Sequence, residues 1–162
     1  MAADTSAVAK LEKACDAAYD ARPTSCSHAV WDVIKAVHDA DQVYKQANEL
    51  VDWMTVNWQE VSIDDAFTKA NAGVVVVGGK KETTNGHVIV VYPGEKILNG
   101  GYQYFWKAGN KFMMLNGTTF YPRCLSTSMG SWPGAKSCGE KTVWDPWGKD
   151  ETFKLVKFWT PK

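Results

Sequence analysis

The chain has 162 residues, the length of one domain, and its 45% hydrophobic and 22% charged residues exclude the composition of a disordered chain. Lys plus Arg equals Asp plus Glu at 18 each, so the net charge of +0 supplies no global field to recruit nucleic acid. The N-terminal stretch lacks a basic start followed by an apolar run, and no apolar run reaches the ~18 residues of a membrane span, so neither a secretory signal nor a span is expected.

Apolar residues Val8, Leu11, Cys15 and Ala18 recur at helical spacing and predict an amphipathic helix over residues 6–21, ended by Arg22 and Pro23. Thr24 and Ser25 offer capping oxygens for a second helix with a buried face of Ala29, Val30, Val33, Ile34 and Val37. Cys26 then sits in its first turn. A third helix is expected over about 42–58, where Ala47, Leu50, Val51, Met54 and Trp58 recur. Beyond it the period becomes that of strands. The β-branched run 74–77 suits a strand buried on both faces, and 87–92, entered from the turn Asn85-Gly86, reads as its antiparallel partner. Further strands are expected at 102–107, 111–115 and 153–159, with a long surface loop over 128–150. Helices first and strands after them make an α+β pattern.

Two residues in this frame can do chemistry together. A thiol in a first helical turn faces unpaired N–H groups and the positive end of the helix dipole, which favour the thiolate and can hold an oxyanion. His87 opens a strand, and alternation puts it on one face with Ile89 and Val91. If the second helix packs on that face, Cys26 and His87 form the nucleophile and base of acyl transfer. The ordinary readings are a small core cysteine and a satisfied strand histidine. His28 stands two helical positions from Cys26 and so does not face a shared metal, and His38 complements the helix C-terminus as a cation. Metal ligation by Cys and His lacks finger-like spacing, so no metal or other cofactor is expected. Cys124 and Cys138, 14 residues apart, can close a disulfide of ~3 kcal/mol in an oxidising compartment, while Cys15 reads as a buried thiol. Aromatic residues are 12% of the chain, and Trp144, Trp147 and Trp159 serve either the core or a substrate-stacking wall.

The blocks SCSHAVWDVIKAV, ANELVDWMTVNW, GGKKETTNGHVIVVYPG, YPRCLSTS and KTVWDPWGKDE, in order over about residues 11–160, resemble the peptidoglycan amidase effectors of type VI secretion, papain-like cysteine peptidases related to the NlpC superfamily. The resemblance implies a single papain-like amidase domain over 1–162, with N-terminal helices packed on a central antiparallel sheet. It implies Cys26 as nucleophile and His87 as general base. Ser126 takes the third, orienting position, with Gln103 as competitor, although a hydroxyl orients an imidazole less firmly than a carboxylate. The implied activity is hydrolysis of peptidoglycan stem peptides, at the γ-D-glutamyl–diaminopimelate or the D-alanyl–diaminopimelate bond. Arg123, and the lysines 80 and 81, are candidates to bind substrate carboxylates. The implied life history is synthesis in the cytoplasm without a signal, delivery as an antibacterial toxin to a neighbour's periplasm, neutralisation by a cognate immunity protein, and a monomeric state. The alternative is a non-catalytic cell-wall or glycan-binding module that uses its aromatic surface.

Overall fold

The computed structural model describes residues 5–100, 102–106, 111–115, 117–130 and 132–162, with side chains excepted at 5, 102–106 and 111–115. Its elements in chain order are α1 (Thr5–Ala21), α2 (Cys26–Val37), α3 (Ala47–Asn57), β1 (Gln59–Val61), α4 (Ile63–Asn71), β2 (Val77–Lys80), β3 (His87–Leu98), β4 (Tyr102–Trp106), β5 (Lys111–Leu115), β6 (Phe120–Ser126), β7 (Ser137–Thr142), α5 (Asp150–Phe153) and β8 (Lys157–Thr160). Among the described residues no helix is long and apolar enough to cross a membrane.

The fold is α+β. Six strands pair antiparallel throughout in the order β1-β8-β2-β3-β6-β7, and β4 and β5 form a separate hairpin. Because β3 lies in the middle of the sheet, the side chains of its first half, Val88–Val91, are covered on both faces. Val88 and Val90 join Leu11, Val30, Val33, Ile34 and Met54 of α1–α3 in one apolar cluster. Ile89 and Val91 join Ala66 and Ala70 of α4, together with Val143, Val156 and Phe158, in the other. Burying valine and isoleucine side chains at ~1.5–3 kcal/mol each makes this two-sided strand the centre of the core.

Several sequence expectations change. β3 runs twelve residues instead of six, with its pairing to β6 shifted between Tyr92 and Ile97. Pro93 cannot donate to the ladder there, and the Gly94 N–H is satisfied by Asn71 Oδ1 at 2.9 Å. The 128–150 stretch is no surface loop: it contains β7 and the buried residues Val143, Trp144 and Asp145. The strand expected at 153–159 is instead α5 followed by the shorter β8. α4 and β1 arise where none was expected.

The expected Cys124–Cys138 disulfide is absent; all four cysteines are free thiols. The cause is register. Cys138 pairs with Leu125, one residue beyond Cys124, and successive strand residues face opposite sides of a sheet. Cys124 lies in the α4-side cluster, whereas Cys138 packs against the cluster of α1–α3 and donates to Asp16 Oδ1 at 3.2 Å.

Candidate active site

Ser25 caps α2 as its position suggests, accepting from the His28 N–H, so Cys26 is the first helical residue. Its amide and that of Ser27 are therefore among the donors that a helix leaves unpaired at its start. Together with the Val88 N–H they reach the Cys26 sulfur and lower the thiol's pKa, but burial opposes them and prevails, leaving it above the ordinary cysteine value. The expected thiolate-favouring environment is thus outweighed by desolvation.

His87 reaches the same place by another route than the sequence implies. α2 does not pack on the His87 face; it covers the opposite one, through Val88 and Val90. The thiol instead meets the strand at its end, beside the Val88 amide, one peptide unit from His87. Both residues line one groove of about 590 Å³. On its own face the imidazole meets Trp147 edge-on, with ring centroids 5.4 Å apart. Burial pushes His87 down to about 4, so the ring is neutral at neutral pH.

Ser126 is brought to His87, with Oγ 3.0 Å from Nε2. The hydroxyl has one proton, and it donates that proton to the Ala135 carbonyl at 2.8 Å. Its oxygen must then accept from His87, which places the ring proton on Nε2 and leaves Nδ1 as an unprotonated base. The rival Gln103 sits on β4 opposite Met114, and its side chain lies outside the described residues. Arg123 is not brought to the groove. It lies further along β6, donating to the Glu95 and Gly139 carbonyls at 2.8 and 2.9 Å, which makes it a clasp between strands. Lys80 pairs with Glu82 and Lys81 with Asp52, and neither lines the groove.

Other groove residues escaped sequence reasoning. Tyr44 lies between helices, stacked on His28 at 4.1 Å and hydrogen-bonded to Ser27 Oγ at 2.8 Å. Asn48 lines the groove from α3, and Trp132 from the turn after β6. Lone polar or aromatic residues carry no periodic signal, so only the fold could place them. Of the tryptophans offered as a stacking wall, Trp144 and Trp159 are buried in the core, and only Trp147 reaches the groove. Among the described residues no group of three His, Cys, Asp or Glu side chains is placed to hold a metal ion.

No protein-family model matches the chain, and no curated protein matches it.

Proposed function

We propose that the protein is a cysteine amidase in which Cys26 is the nucleophile, His87 the general base and acid, and Ser126 the group that orients the imidazole. The observation that carries this reading is the bonding of Ser126: with its own proton on the Ala135 carbonyl it is left to accept from Nε2, which makes Nδ1 the base of a ring that shares its groove with the Cys26 sulfur. Thiol and imidazole both rest neutral, so proton transfer accompanies attack rather than preceding it. Sulfur adds to the scissile carbonyl as its proton passes to His87. Amides at the start of α2 hold the tetrahedral oxyanion. His87 then protonates the departing amine, and a water activated by the same ring hydrolyses the thioester.

The substrate class rests on the resemblance of the Cys-helix and Gly-His-Val blocks to the NlpC-related effectors. It is the peptide stem of bacterial peptidoglycan, cut at the γ-D-glutamyl–diaminopimelate or D-alanyl–diaminopimelate bond within a papain-like fold. Delivery by type VI secretion and capture of a monomeric toxin by an immunity protein belong to the same reading.

The test is digestion of purified muropeptides by the native protein and by Cys26→Ala, read by mass spectrometry. Native protein yields new amine and carboxyl termini at one bond, and the variant yields none. A variant that digests as well as the native chain refutes the mechanism.

A further inference from the structure

Cys26 and His87 belong to different layers. The thiol opens α2 and the imidazole opens β3, and besides the packing of α2 on Val88 and Val90 the join between α3 and the 81–86 loop bears on how the two approach. The Asn48 side chain makes that join. Its Nδ2 donates to the Glu82 carbonyl at 2.9 Å, and its Oδ1 accepts from the Glu82 N–H at 3.2 Å, so one amide satisfies both polar groups of a single loop residue. The loop then closes over the same amide. Gly86 is buried against it, and a Cβ at Gly86 would lie 2.3 Å from Asn48 Oδ1 and 2.8 Å from the Lys80 carbonyl, so only glycine lets the chain pass between them. His87 is the next residue, paired with Lys80 across the hairpin. The loop's other tie to α3 is the exposed Lys81–Asp52 ion pair, a type that contributes little in solution.

We propose that Asn48 is a positioning residue: it pins the 82–86 loop to α3 and thereby sets the approach of His87 to Cys26. This rests on the amidase reading for its catalytic consequence, but not for the pinning itself.

The experiment compares full-length native protein with Asn48→Ala and Asn48→Asp. Hydrogen–deuterium exchange is read at amides 82–87, Cys26 alkylation by iodoacetamide is followed against pH, and muropeptide hydrolysis is resolved into kcat and KM. In Asn48→Ala, exchange at the Glu82 amide, which Asn48 Oδ1 holds, rises about tenfold while α2 amides keep native rates, as expected of a local opening. The alkylation profile moves toward that of a thiol without a base, and kcat falls about 10- to 10²-fold with KM near native, the scale of a misplaced catalytic group. Asn48→Asp keeps the acceptor for the Glu82 N–H, loses the donor to its carbonyl, and falls between the two. Native exchange at the Glu82 amide in Asn48→Ala overturns the pinning. Raised exchange with unchanged kcat and alkylation profile overturns the positioning role. If the native protein cleaves no muropeptide, the amidase reading fails, and the exchange and alkylation arms still decide the role of Asn48.

Discussion

Ser126 shows how much a single hydroxyl determines at the site. Buried at the end of β6 against the turn that carries Ala135, it has its one proton committed to a backbone carbonyl, and so can offer His87 only a lone pair. Replacing it by alanine removes the acceptor from Nε2 without touching the Trp147 ring that packs on the imidazole. The neutral ring is then free to place its proton on either nitrogen, and half of the logic of the base is lost. Ser126→Ala should lower kcat by about 10- to 10²-fold, less than the ~10⁴-fold seen where a buried carboxylate holds the tautomer, because a hydroxyl bond to a neutral ring is the weaker constraint. Nitrogen-15 shifts of the ring supply an independent reading: one tautomer, protonated on Nε2, in the native protein, and a mixture in the variant. Equal kcat and an unchanged tautomer would remove Ser126 from the site.

At the scale of elements, α4 explains both what was missed and what its position requires. Its start carries ordinary signals, since Ser62 caps it by accepting from the Asp65 N–H and Asp64 and Asp65 fill the first turn. Its apolar residues Ile63, Ala66, Phe67 and Ala70 also stand at helical spacing, so α4 was legible and the expected elements passed over it. β7, by contrast, was hidden: SCGEKT lacks β-branched alternation and becomes a strand because β6 is there to pair with it. The helix periods of α1–α3 and the strand start at His87 were legible, because their apolar spacing is local. After α4 the chain turns back at Gly73, with φ at 82°, directly against α1. A Cβ there would stand 2.4 Å from Ala7 Cβ and 2.5 Å from the Ala7 carbonyl carbon. Gly73→Ala should therefore combine left-handed strain with a clash against helix backbone and cost at least about 2 kcal/mol. Urea unfolding measures it as a lower midpoint at unchanged slope; a native midpoint would mean that α1 and the turn are not in contact.

For the whole molecule, the site lies where three layers end together: helices over one face of the sheet, α4 and the C-terminal segment over the other, and β3 between them. Alternation correctly grouped His87 with Ile89 and Val91, yet no sequence pattern says which face α2 covers, and the groove that thiol and ring share lies at the strand's end. The same period of two decides the redox chemistry. Cys124 and Cys138 are close in the paired strands but point into opposite layers, Cys124 with its sulfur 3.3 Å from the Thr142 carbonyl and Cys138 bonded to Asp16 of α1. Bridging them would require turning one strand residue through the sheet, well outside disulfide geometry. A disulfide closing a loop of this length contributes ~3 kcal/mol, which in a domain of this size is roughly 6–12 °C of melting temperature. Thermal melts of the purified, air-exposed protein should therefore coincide with and without a reductant, and mass spectrometry of unreduced peptides should find Cys124 and Cys138 unlinked. A reductant-sensitive melt accompanied by a Cys124–Cys138 peptide would show that β7 is displaced by one residue against β6, bringing Cys138 onto the Cys124 face.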